Sequence, residues 1–350
     1  MTANLRKMRR LVGGVVHRTG FHSSASALRD VLEYKGCKLS EEAVFGIGCG
    51  LGFMYWRSKD MAPPILIGGD ADDVISEACK ILGIGAKVEK TESVDAAWKG
   101  VKELVDRGEP VALRVDLHHL GYLGAPMDLH SGRHVVVAAG YDEERGEAYV
   151  WDNRLAEIQT ISLENLSRAR GSKSKPFPPS NAWYELSFPK GLTKIEGAVR
   201  MAIRENAENF LYPAAKNSGL KGIEYFAEQL ESWPGILSPQ DLKLTLKACH
   251  IFIGGGNGTG LLRRMYSGFL REAHALLGDG QLEVSRELLE RSAGIWIQVG
   301  ELLLKGSGSD SELPRCLSEA KAKILECYGL EAKAFELLES LSRRWLEQVI

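Results

Sequence analysis

The sequence contains no Cys-x-x-Cys pair. Its six cysteines, Cys37, Cys49, Cys79, Cys249, Cys316 and Cys327, are scattered along the chain. That distribution lacks the usual structural zinc spacings and fits reduced, mostly buried thiols. No stretch approaches the roughly 18 apolar residues that a membrane-spanning helix needs. Long blocks of one charge sign are also missing. The chain carries 44 Lys and Arg against 46 Asp and Glu, a formal net charge of -2, so it has no nucleic-acid footprint. The one basic cluster, Arg6, Lys7, Arg9 and Arg10, precedes "LVGGVV", an apolar run too short for a secretory signal and followed by no small-residue cleavage site. A cytoplasmic protein is expected. Low-complexity tracts and short-period repeats are absent, which sets solenoid architectures aside.

With 350 residues, 44% of them hydrophobic and 26% charged, the chain is long enough for two globular domains. Up to about residue 190, helical and strand-like patterns alternate. The periodicity predicts helices over 23–35, 71–83 and 93–107, and strands in "PPILIG", "PVALRVDL", "HVVVAAGY", "AYVWDN" and "AWYELSF". From "KIEGAVRMAIRENAENFL" onward the apolar positions recur three and four apart, which predicts five or six helices broken at Pro213, "SWPGILSP" and "GSGSDSELP". The expected organisation is an α+β domain over 1–190 and an all-helical domain over 191–350.

In "GFHSSASALRDVLEYKG", residues 20–36, Gly20 loosens the backbone ahead of Ser23 and Ser24, whose hydroxyls suit a helix start. Ala25, Ala27, Leu28, Val31 and Leu32 then mark one buried face. A side chain in that first turn feels the positive end of the helix dipole, which favours an anion such as a thiolate more than a hydroxyl. In "RHVVVAAGYDEERGEAYVWDNR", residues 133–154, two β-branched runs flank a polar turn, the pattern of a hairpin. His134 opens the first strand and Asp152 closes the second. Symmetry about residue 143 sets them opposite or nearly opposite, so that the carboxylate holds one ring nitrogen and leaves the other as a base. A bulge would move one of them. The competing reading is a strand-end histidine in an ordinary hydrogen bond.

Nucleophile position, histidine and carboxylate, in that order, resemble the papain-like and bacteriocin-processing cysteine peptidases. More closely, "GFHSSASALRDVLEYKG", "LSEEAVFGIGCGLGFMYW", "VDLHHLGYL" and "RHVVVAAGYD" resemble the amino-terminal domain of the butirosin biosynthesis protein H family. "GGGNGTGLLRRMYSGFLREA" resembles the helical domain that follows it. The resemblance implies a papain-like fold and a helical domain that covers the cleft and selects substrate. It also implies acyl transfer from a carrier-protein or coenzyme A thioester to a small-molecule amine through an acyl-enzyme. No cofactor is implied beyond the phosphopantetheine arm of the donor. The catalytic residues would be Ser23, His134 and Asp152. The family usually has cysteine after the first histidine, where this chain reads His22-Ser23. Three explanations stand open: a deliberate replacement that stalls the enzyme, a serine nucleophile, or a protein that binds without turnover. An amidase or peptidase of the same fold is the enzymatic alternative, and an acyl- or peptide-binding protein the non-catalytic one.

Oxyanion donors are expected at the Ser23 backbone amide and at His17, which matches the position, though not the type, of the glutamine donor in papain-like enzymes. His22 is either a packing residue or a participant. Cys49 lies in the glycine-rich "FGIGCGLGF", which either lines the acyl entrance or serves close packing. Tyr122 is placed to line the cleft. Asn257 and Arg263, in and after "GGGNGTG", are candidates to meet a phosphopantetheine or a carrier-protein acid, although the string lacks the ending of a nucleotide loop. His118 and His119 adjoin Asp116 at a strand end, where neighbours face opposite ways, so no metal is expected. The amphipathic carboxy-terminal segments suit either a core or a homo-oligomer interface.

Overall fold

The computed structural model describes residues 9–71, 73–124, 130–254 and 258–347. In chain order the first elements are β1 (Arg9–Leu11), α1 (Ser23–Tyr34), α2 (Glu41–Ile47), β2 (Leu51–Arg57), β3 (Ile65–Asp70), α3 (Val74–Leu82), β4 (Gly85–Glu89), α4 (Val94–Asp106) and β5 (Val111–Val115). After two 3-10 turns, Leu117–His119 and Gly121–Leu123, come β6 (His134–Asp142), β7 (Glu147–Trp151), β8 (Gln159–Ser162), α5 (Leu163–Gly171) and β9 (Trp183–Ser187). The rest is helical: α6 (Ile195–Leu211), α7 (Gly219–Leu230), α8 (Trp233–Ile236), α9 (Pro239–Ile253), α10 (Arg263–Leu277), α11 (Gly280–Gly306) and α12 (Leu313–Glu347).

These elements form two compact units, and neither is continuous in sequence. One takes the described residues of 1–44 and 84–191, the other those of 45–83 and 192–350. The sequence places a break near 190, but it misses that 45–83, with β2, β3 and α3, belongs with the helices.

The first unit is built on an antiparallel sheet in the order β4-β9-β5-β6-β7-β8, with β1 pairing β6 beyond the end of β5. Every residue of β6 is buried, as its near-continuous apolar run requires of a strand covered on both faces. Val136 and Ala138 pack with Ala97, Val101 and Leu104 of α4, while α1 packs on β5 and β6. Val115 pairs with His134, so the end of β5 and the start of β6 share one end of the sheet.

In the second unit the β2-β3 hairpin supplies core to the helices. Phe53 stacks on Phe226 and Trp296, and the Trp233 indole donates to Tyr55 Oη at 3.2 Å. The side-chain amides of Asn206 and Asn217 donate to the carbonyls of Leu51 and Tyr55 at 2.7 and 2.9 Å. Two backbone carbonyls of the hairpin are thereby satisfied by side chains from α6 and from the turn that follows it. The glycine-rich stretch serves close packing: a Cβ on Gly46 would overlap the ring of Phe269.

Candidate active site

The start of α1 is held by a buried polar network. His22 is the N-cap, its Nδ1 accepting from Ala25 N at 3.2 Å. That cap, together with Ser26 N closing the first turn on His22 O, leaves the amides of Ser23 and Ser24 without acceptors among the described residues. Glu41 accepts from Phe21 N at 2.9 Å, His22 N at 2.7 Å and Ser26 Oγ at 2.8 Å. Gly20 lies so close to this cluster that a Cβ would overlap Ser26 Oγ and Glu41 Oε2. Its lack of a side chain serves close approach, where the sequence suggests only flexibility.

His17 has no free donor for an oxyanion, contrary to the sequence expectation. Its Nδ1 meets Asp30 Oδ2 at 2.6 Å, its Nε2 meets Leu155 O at 2.9 Å, and its ring stacks on Trp151. Burial, the largest influence, pulls its pKa down. The hydrogen bonds to Asp30 and Leu155 and the charge of Asp30 together outweigh that, and the pKa is raised. Asp30 also accepts from Arg29 Nε at 2.9 Å, and Arg29 reaches the carbonyls of Arg18 and Thr19. The segment ahead of Ser23 therefore rests on an ionic network.

His134 and Asp152 do meet, but not as directly opposed residues. Observed pairs are Asp142 with Glu147 and Tyr141 with Ala148, then Ala138 with Val150 and Val137 with Trp151, with a register shift between Ala138 and Gly140. Continued past the end of β7, this register sets Asp152 beside Val136, two positions from His134 and on the same face. The turn lies further along than residue 143, and the bulge recovers only part of the offset. The diagonal is still short enough: His134 Nε2 to Asp152 Oδ2 is 2.8 Å.

Asp152 is fully buried. It accepts from Tyr122 Oη at 3.2 Å and from Arg154 N at 3.0 Å. Burial would raise its pKa, but the hydrogen bond and charge of His134, with the two further donors, hold it below the ordinary value. An ionised carboxylate only accepts, so the shared proton sits on Nε2 of His134. A neutral ring then leaves Nδ1 as the base. Tyr122, expected to line the cleft, instead orients this carboxylate. Its phenol is pushed to a higher pKa first by burial and then by Asp152, which keeps it a neutral donor.

Ser23 Oγ accepts from Val135 N at 3.2 Å, one peptide from His134, and makes no hydrogen bond to the imidazole. A second tie joins the same elements. Asn153, adjacent to Asp152, donates from Nδ2 to Gly20 O at 2.9 Å, and its carbonyl accepts from Gly20 N at 2.8 Å. Sequence reasoning missed Glu41, Asp30 and Asn153. Only the adjacency of Asn153 to Asp152 offered a signal.

Two of the expected substrate contacts, Cys49 and Arg263, lie in the second unit. Cys49 is buried there, its thiol against Ala202 O at 3.6 Å, and burial pushes its pKa to about 12, so it supplies neither a thiolate nor an exposed surface. Arg263 is wholly buried in an ion pair with Glu331, with Nε at 2.9 Å and Nη2 at 2.8 Å, and so does not greet a ligand. Asn257 lies outside the described residues.

Near the same sheet end, Asp116, His119 and His130 bring one potential ligand atom each to within 4.8 Å of one another. His118 and His119 lie on a 3-10 turn and not on a strand, so the opposite-facing geometry expected to keep a metal away does not apply to them.

Residues 22–153 match the family described as Butirosin biosynthesis protein H, N-terminal, and residues 164–338 match a Domain of unknown function (DUF4872). The chain belongs to the butirosin biosynthesis protein H family. The amino-terminal match runs from His22 to Asn153 and so contains Ser23, His134 and Asp152. No curated protein matches the chain. The structure is α+β, with an antiparallel sheet and a helical carboxy-terminal part. No helix among the described residues is long and apolar enough to cross a membrane.

Proposed function

We propose that Ser23, His134 and Asp152 form an acyl-enzyme site of papain-like arrangement. It would move an acyl or aminoacyl group from a carrier-protein or coenzyme A thioester to a small-molecule amine. The observation that carries this reading is the path from Tyr122 through Asp152 to His134, which ends one peptide from Ser23 Oγ. In the first step Oγ bonds to the thioester carbonyl carbon and its proton passes to His134 Nδ1, while Asp152 balances the imidazolium. The oxyanion is met by the amides of Ser23 and Ser24 at the helix start, which have no acceptor among the described residues. The C–S bond then breaks and the thiol leaves with the proton from His134. In the second step the amine attacks, gives a proton to His134, and displaces Oγ, which takes that proton back.

A serine at this position gains little from the helix dipole, whereas a thiolate is favoured by it. Ser23→Cys is therefore expected to be the faster form. The test is incubation with a short acyl thioester of coenzyme A, with and without an aminoglycoside amine, followed by mass analysis of products. Amide from wild type or from Ser23→Cys supports transfer. Free acid alone would replace transfer by hydrolysis, and no turnover in either form would overturn the enzymatic reading.

A further inference from the structure

The first unit holds a second cluster of reactive groups that the acyl-transfer chemistry does not use. Asp116 follows β5 and caps the next turn: its Oδ1 accepts from His118 N at 3.2 Å and from Ser131 N at 3.0 Å. Its Oδ2 accepts from Ser172 Oγ at 2.6 Å and from His130 Nδ1 at 2.7 Å. Leu117 N bonds to Ser131 O at 3.0 Å, which brings the chain near residue 130 back beside the turn. His119 arrives from the turn itself, and the rings of His119 and His130 have centroids 5.9 Å apart.

The carboxylate is fully buried, yet among the described residues no Lys or Arg pairs with it. A buried charge needs a compensating charge or a full set of donors. Here the partners are neutral donors and one imidazole. Two imidazoles and a carboxylate with donor atoms within 4.8 Å of one another make a mixed nitrogen and oxygen set. That set suits a borderline divalent cation, and three protein ligands leave a fourth position open.

We infer that Asp116, His119 and His130 bind one divalent transition-metal ion of the zinc type, at a site separate from Ser23, His134 and Asp152. Ligation by the His130 nitrogen that now faces Asp116 replaces the hydrogen-bonded proton between them. Neutral His130 keeps that proton on its other ring nitrogen, so no net proton release is required. Ser172 remains on the carboxylate as an outer partner that orients it. The ion joins the turn after β5 to residue 130.

The probe is Co2+ added to the chelator-treated full-length protein, read by visible absorption and titration calorimetry, with Zn2+ displacing it. One equivalent is expected. His119→Ala and His130→Ala should each weaken binding by more than the roughly 10- to 100-fold that loss of an outer partner costs. Both histidines are partly exposed, so these variants should retain the wild-type circular dichroism spectrum. Ser23→Ala should bind Co2+ as wild type does, which separates this site from the acyl-transfer reading. Absence of stoichiometric binding, or binding that both histidine variants leave unchanged, would overturn the assignment.

Discussion

At Asp152 three donors converge on one buried carboxylate, and the proton order of the whole site follows from its staying ionised. Under the proposed mechanism, removal of His134 should cost far more than removal of a donor to the carboxylate. His134→Ala is expected to lower kcat/KM for thioester turnover by about 100- to 10,000-fold. His17 offers a separate test, because its role is to hold the segment before Ser23. Its pKa is raised on folding, so the stability it adds is complete below the ordinary value of 6.5 and is lost as pH rises through the folded value. The stability gap between wild type and His17→Gln, from urea unfolding at several pH values, should be widest below pH 6.5 and narrow in alkali. A gap that widens with pH would contradict the assigned charge state. The meeting of His134 with Asp152 was legible in the sequence, whereas the bond of Ser23 Oγ to Val135 N in place of the imidazole was not. His17 was misread because the sequence does not reveal that Asp30 and Leu155 take both its nitrogens.

At the scale of elements, the start of α1 and the β6-β7 hairpin carry the site between them. Glu41 gathers two backbone amides and a hydroxyl at the helix start. Glu41→Gln turns one acceptor atom into a donor and leaves at least one buried group unpaired, at a cost of about 1–3 kcal/mol. Denaturant unfolding should register that loss, and hydrogen exchange should rise locally over residues 20–26. The helix and hairpin were predictable from periodicity. The register was not, because turn position and bulge are fixed by packing on both faces of β6 and leave no mark in an almost uniformly apolar strand. The Asp152 contact survives because a displacement by two residues keeps a side chain on its face.

At the scale of the molecule, the helical unit is incomplete without residues 45–83. β2 lends Phe53 and Tyr55 to its aromatic core, and the carbonyls of Leu51 and Tyr55 accept from the side-chain amides of Asn206 and Asn217. Residues 192–350 alone should melt with low cooperativity or not fold. The same segment joined through a linker to residues 45–83 should show a sharper, higher thermal transition by circular dichroism. Equal transitions would mean that the hairpin is dispensable. The sequence hid this arrangement because "FGIGCGLGF" carries glycines that read as a loop, and their role in close packing is visible only once the helices are in place.

Whether residue 23 carries the acyl group is decided most directly by intact-protein mass followed by peptide mapping after exposure to an acyl thioester. An adduct of the acyl mass is expected on the peptide containing residue 23, stronger in Ser23→Cys than in wild type and absent from Ser23→Ala. An adduct mapped elsewhere, or none in either wild type or Ser23→Cys, would contradict the role proposed for residue 23.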